Sequence, residues 1–450
     1  MQFQLSDDLV QKIEFLIEQK NDEELRLHLE EVHPADIAEI ITELDLDEAT
    51  YIIKLLDSDK TSEALMELEE DVRERILDNL SPKEIAEELE NMDTDDAADI
   101  IAELSEERQH EVISQIIDEE HADNIVELLR YDEDSAGGLM AKELVKVNEN
   151  WSVTNCMSEM RAQAEEVTRV HSIYVVDDRN KLKGRLSLKD LLTAPSNAHI
   201  RDVYIDQVDY VNVNTPGDEV ARIMQKYDLE AIPVVDEMGR LVGRVTIDDI
   251  VDFIREEAEK DYQMAAGISE GVEADDSIRK HVRARLPWLV LALLGGFVSV
   301  TVLGTFEAAM EKYGALFFFV PLIAAMAGNV GVQSSAIVLQ GLANNTLRGS
   351  LMKRLLKEVG LSLLNGIVLS LMLALGGTYL LGFDYIYGVT VGISLVSVIV
   401  IASLIGTFVP IILDKQGIDP AMATGPFITT SNDIFGILIY FSIAKAILGF

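Results

Sequence analysis

Five apolar stretches, at roughly 286–306, 316–343, 355–382, 386–413 and 422–449, occupy the C-terminal part of this 450-residue chain. About 20 helical residues cross a hydrocarbon core of about 30 Å, and each stretch reaches that length. Only short polar connections separate them, so this part is expected to fold as a bundle of five spanning helices. Charge is partitioned in the same way. Leu286 to Phe450 holds seven acids and seven bases, so the whole net charge of −42 lies in residues 1–285, with 72 acids and 30 bases. That N-terminal part is too polar to enter a bilayer and long enough for more than one soluble domain.

A strongly acidic soluble portion argues against nucleic acid and anionic lipid headgroups as partners, because both require stripes of Lys and Arg. It favours cations. The single cysteine, Cys156, rules out an internal disulfide framework. The opening MQFQLSDDLV lacks the basic-then-apolar pattern of a secretory signal, which leaves the N-terminal part expected in the cytosol. Basic residues give the same orientation. Arg279, Lys280, Arg283 and Arg285 precede the first stretch, Arg348, Lys353, Arg354 and Lys357 flank the second connection, and Lys415 ends the fourth, against Lys312 and Lys445 on the other side. The C-terminus is therefore expected outside a bacterial-type inner membrane.

Two stretches carry polar chemistry. In the second, Gly328, Asn329, Gly331 and Gln333 interrupt an apolar helix, with Asn329 and Gln333 one turn apart. In the fifth, Thr429 and Asp433 share a face after Pro426. An ionised Asp near the centre of a spanning helix costs about 2.5–3.5 kcal/mol and is seldom present without a use. No Lys or Arg lies deep in any stretch to pair with it, so Asp433 is expected to line a pore, with Gly328, Asn329 and Thr429 beside it.

Residues 33–128 repeat with a period of twelve, as in HPADIAEIITEL (33–44) and DTDDAADIIAEL (93–104). The ninth position is aliphatic in all eight units, from Ile41 to Ile125, and the twelfth is apolar from Leu44 to Leu128. Most units open on Ser or an acid, so a superhelix of short stacked helices is expected. Next, SIYVVDDRNKLKGRLSLKDLL (172–192) aligns with AIPVVDEMGRLVGRVTIDDIV (231–251) at an offset of 59 residues. This pattern resembles a tandem pair of CBS domains, over about 137–255. The CBS resemblance implies an adenine nucleotide, ATP among them, with Asp190 (after Ser187) on the ribose and Asp249 in the equivalent place of the second copy.

Taken together, the acidic repeat, DEDSAGGLM (132–140), the CBS pair, Pro321 with the GNVGVQ run and DPAMATGPFITTSND (419–433) resemble the MgtE-type magnesium channels over essentially the full chain. The fold class is then multidomain: an all-α superhelical domain (1–130), an α/β tandem CBS pair (131–255), a linker or plug helix (256–285) and an α-helical transmembrane pore domain of five spans (286–450). The resemblance implies a homodimer with a pore on its two-fold axis, Mg²⁺ as both cargo and regulator, no enzyme activity, and closure when cytosolic Mg²⁺ bridges acidic surfaces. By position in the family it implies regulatory Mg²⁺ at Glu63, Asp95, Asp99, Asp218, Asp228, Asp249 and Asp252, and near the pore mouth at Glu257, Asp261 and Asp419. Ala327, Val332, Gly425 and Lys260 differ from residues common in that family.

The chemistry agrees. One Asp per protomer gives a dimer two carboxylates around its axis, suited to a doubly charged ion held through water. Moving a gate from 1:99 to 99:1 takes about 5.5 kcal/mol of differential binding. A site at tenfold its Kd supplies only about 1.4 kcal/mol, so roughly four sites per gate are required. A nucleotide-sensing carrier for another solute, its acids serving solubility alone, is the competing reading. Protease protection by Mg²⁺ or by ATP alone separates the two.

Overall fold

The computed structural model describes the chain apart from residues 1, 2, 4, 165, 166, 168, 270, 273, 275, 344, 345, 348, 380, 381, 383 and 424, and the side chains of 308, 310 and 423. Arg348 and Thr424, used above for orientation and motif, lie outside the described residues. Two compact units divide at the Arg255–Glu256 junction.

In the first unit each twelve-residue repeat forms one helix, from Pro34–Thr42 to Glu119–Leu128. The period sets this arrangement, since about nine helical residues and a three-residue turn return the apolar ninth position to the core. Ile41, Ile53, Leu65, Leu77, Leu89, Ile101 and Ile125 are all buried, and Ile113 is partly buried. Starts are set locally. Asp45 and Ser81 form reciprocal capping boxes with Glu48 and Glu84, and Pro34 and Pro82 occupy first-turn positions. Alternate repeat helices pack on one another, the first on the third and the second on the fourth. Arg73 locks such a stack by pairing with Glu103 and donating to the carbonyls of Leu65, Met66 and Leu68.

The CBS pair follows as two three-stranded sheets of one topology. β1 (Val145–Asn148) runs parallel to β2 (Ile173–Val176), which pairs antiparallel with β3 (Leu182–Leu186). β4 (Val211–Asn212), β5 (Ala231–Val235) and β6 (Leu241–Thr246) repeat it. The register keeps the sequence offset: Ile173 faces Leu186 as Ile232 faces Val245, and both copies carry an irregularity at the turn end of the antiparallel pair.

Among the described residues, the second unit contains five helices long and apolar enough to cross a membrane: Ile278–Gly304, Glu311–Ala343, Leu351–Tyr379, Tyr385–Lys415 and Pro426–Leu448. They are called the first to fifth spans below. The first begins about two turns before the apolar stretch, because Ser277 caps it by accepting from the Lys280 amide, and it takes in Arg279, Arg283 and Arg285. The linker helix starts earlier and ends sooner than the expected segment 256–285. It starts at Ile247, directly after β6, and runs to Ala265. Close packing of the spans uses glycine at a few crossings: a Cβ on Gly406 of the fourth span would lie 2.3 Å from the Gly331 carbonyl oxygen of the second.

Candidate functional site

Asp433 lies within the fifth span, half-buried and one turn beyond Thr429. Both line a cavity of about 460 Å³, together with Ser299, Gly425 and Thr430. Thr429 donates to the Gly425 carbonyl at 3.1 Å. Gly328 packs against this helix: a Cβ there would meet the Thr429 methyl at 3.3 Å. Asn329 and Gln333 instead lie on an exposed face of the second span, away from the helices packed on its buried side. Ala327 is buried and Val332 exposed, so the two differences from the wider family fall on opposite faces.

The end of the linker helix reaches this cavity. Ala266 lines it, and Gly267 turns the chain with φ of +82°, a conformation that favours glycine. A Cβ on Gly425 would lie 2.5 Å from the Ala265 carbonyl oxygen, so the backbone approach itself requires glycine there. On the same linker Asp261 is pushed above the ordinary carboxylate range by partial desolvation, then by the charges of Asp419 and Glu257. These three expected acids are thus electrostatic neighbours. Asp419 accepts from the Ala421 amide at 2.8 Å, and Lys260 pairs with Glu257 at 3.2 Å.

A second constellation lies in the first unit. The carboxylates of Asp93, Asp95 and Glu143 come within 4.8 Å of one another, with Asp95 buried. The start of helix Thr94–Glu103 supplies the first two. The segment after Tyr131 supplies Glu143, held because Thr94 donates to it through its amide (3.2 Å) and hydroxyl (2.9 Å). Asp96 and Asp249 complete the group electrostatically. Burial pushes Asp93 up to about 6 and Asp96 up to about 8, with like charges on Glu143, Asp248 and Asp249 adding to it. Asp95 rises well above the usual range for the same reasons. Asp249 is raised by burial, against the opposing effect of the Thr246 amide and hydroxyl that donate to it. Arg244 is the counter-charge, 3.6 Å from Asp93.

The fold therefore brings the expected residues Asp95 and Asp249 together and adds Asp93, Asp96, Glu143 and Asp248, which the sequence reading did not single out. Three acids in the first turn of one repeat, Asp93, Asp95 and Asp96, were the available signal. Asp99 is exposed on the same helix and acts on Asp96 through its charge. Glu63, Asp218, Asp228 and Asp252 are exposed elsewhere, Asp228 closing helix Gly217–Tyr227 in a left-handed conformation.

Asp190 is bonded within its own turn to Ser187 at 2.6 Å, the counterpart of Thr246–Asp249. Elsewhere in the CBS pair the buried Tyr174 hydroxyl and Arg244 Nε have no hydrogen-bond partner among the described residues, and His171 Nδ1 lies 3.9 Å from Glu230. Donors and acceptors of this kind fit a polar, anionic small molecule.

Comparison with known proteins agrees along the whole chain. The family described as divalent cation transporter, MgtE, matches residues 320–443, the MgtE intracellular N domain matches 32–134, and CBS domains match 136–197 and 200–256. Magnesium transporter MgtE of Thermus thermophilus is 35% identical over 449 residues, 99% of each chain. The chain belongs to the MgtE family. Magnesium transporter MgtE of Bacillus subtilis is 36% identical over 325 residues, 71% of each chain. Among solved structures, the cytosolic domain of the Mg²⁺ channel MgtE in complex with ATP is 34% identical, with a TM-score of 0.51, covering 54% of this chain and 99% of that one. The MgtE architecture of helical N domain, CBS pair and five membrane helices is the multidomain fold described above, and it makes the chain a multi-pass membrane protein.

Proposed function

We propose that this chain conducts Mg²⁺ across a bacterial-type inner membrane and is closed by Mg²⁺ on its cytosolic side. The observation that carries this reading is Asp433, a carboxylate facing a cavity inside an otherwise apolar helix. A hydrated ion is attracted by that charge without being stripped of its water, which suits a cation that dehydrates reluctantly. Two protomers would place two such carboxylates about an axis, with Thr429 and the Gly328 crossing holding the helix in place. The N-terminus is cytosolic and the C-terminus outside.

Closure follows from the acids. Asp93, Asp95 and Glu143, with Asp96 and Asp249, are crowded and desolvated, so their ionised state is unfavourable until a divalent cation neutralises it. Mg²⁺ bound by these oxygens stabilises the packing of the repeat on the CBS pair, and Mg²⁺ at Asp261, Asp419 and Glu257 pins the linker end against the entry of the fifth span. Glu63, Asp99, Asp218, Asp228 and Asp252 add weaker exposed sites. ATP fits the CBS pair, with Asp190 placed for the ribose by family position and the Tyr174 hydroxyl and Arg244 Nε as polar groups without hydrogen-bond partners elsewhere in the pair.

Replacing Asp433 tests the reading. Asp433→Ala, and Asp433→Asn, should lower Mg²⁺ uptake by purified protein in liposomes at least tenfold with expression and folding unchanged. Uptake at the wild-type rate would refute the pore assignment.

A further inference from the structure

Asp433 is not the only carboxylate in the spans. Glu358, two turns into the third span, accepts a hydrogen bond at 2.7 Å from Ser334 of the second. Ser334 is buried, and no described base forms an ion pair with Glu358, although Arg354 and Lys357 lie on the same helix. One turn further along the third span, Ser362 bonds Ser403 of the fourth at 2.6 Å, with both side chains buried.

These two spans run antiparallel, as the Gly366–Val396 and Gly392–Ser370 contacts require. One turn back from Ser362 is Glu358, and one turn on from Ser403 is Thr407, so the two come level across the same seam. Thr407 is 1% exposed and its hydroxyl has no partner among the described residues. The second span closes the group from a third side. Gly331 and Gly406 meet backbone to backbone, and Ser334 and Thr407 follow them by three residues and one.

We infer that Glu358, Ser334 and Thr407 form a second cation site, separate from the Asp433 cavity, that takes a monovalent alkali ion. Glu358 is partly buried with no ion-pairing base among the described residues, the Thr407 hydroxyl is buried and unsatisfied, and one small cation at this seam serves both. A single negative charge with neutral hydroxyl oxygens balances one positive charge. Mg²⁺ dehydrates reluctantly and keeps several waters, and is less well served by one carboxylate with two neutral hydroxyls. The seam is continuous with the helix crossing that supports the pore helix, since Gly331 also packs against Asn432, next to Asp433. Occupation of the site would stiffen that crossing.

Thermal unfolding of the purified full-length protein, in detergent with EDTA, tests this with Na⁺ as the probe. Exchanging N-methyl-D-glucamine chloride for NaCl at constant ionic strength should raise Tm saturably, by about 3 °C at a tenfold excess over Kd. Glu358→Gln and Thr407→Val should each abolish the rise, and Asp433→Asn should keep it. Thr407→Val decides the matter if Glu358→Gln does not fold. Equal Tm in the two salts, or a rise that survives in the folded variants, would mean that Glu358 and Ser334 only tie two helices together. A rise lost in Asp433→Asn alone would assign the ion to the pore and overturn the second site, leaving the pore reading intact.

Discussion

At the scale of single residues, the first unit contains carboxylates that folding makes harder to ionise. Asp93 is pushed up to about 6 and Asp96 up to about 8, with Asp95 and Asp249 also raised, by burial and then by one another. In the unfolded chain these groups ionise near pH 4. Between about pH 4 and 8 the folded state therefore holds more protons than the unfolded one, and its stability falls as pH rises through that window. The slope is about 1.4 kcal/mol per pH unit for each proton retained. Hydrogen exchange of helix Thr94–Glu103 in EDTA, corrected for intrinsic rates, should lose protection from pH 5 to 8, and Mg²⁺ should flatten the loss. Protection independent of pH and of Mg²⁺ would mean that the cluster does not bind the ion. Glu88 belongs to a different case. It is pushed up to about 7 by burial, with a smaller contribution from the charge of Glu87, is bonded to Thr61 and lies outside the three-carboxylate group, so its titration should respond to pH but not to Mg²⁺.

At the scale of elements, what was legible in the sequence was whatever recurs along it. The period of twelve gives one helix per repeat, and the offset of 59 residues reappears in the strand register. The five spans were readable from length and hydropathy, with ends displaced where capping by Ser277 outweighed hydropathy. Juxtapositions set by packing were not legible. Glu143 joins Asp93 across about fifty residues of chain, and no local pattern marks that meeting. Glu358 reads as one more charge beside Lys357 at the end of a span until Ser334 is seen to donate to it. Gly425 reads as a missing polar side chain, yet its position is set by the Ala265 carbonyl. That contact carries a prediction: Gly425→Ala must push the linker end away from the fifth span. Flux measured against cytosolic-side Mg²⁺ should then need several-fold more Mg²⁺ for closure, with open-state flux preserved. An unchanged closing concentration would show that the gate does not use this junction.

At the scale of the whole molecule, the neutral segment 286–450 and the strongly acidic residues 1–285 divide conduction from control. The acids of the soluble part repel one another, and exposed charges interact only within a Debye length of about 8 Å at physiological salt, so clustered acids matter more than the total. A divalent cation that bridges them supplies what monovalent salt at equal ionic strength cannot. Closure by such bridging is the central claim, and flux through the purified full-length protein in liposomes tests it most directly. Conductance should fall at least tenfold as Mg²⁺ on the cytosolic face is raised through its binding range at constant ionic strength, and K⁺ in its place should leave the pore open. Flux that is insensitive to cytosolic-face Mg²⁺, or that K⁺ suppresses equally, would contradict it.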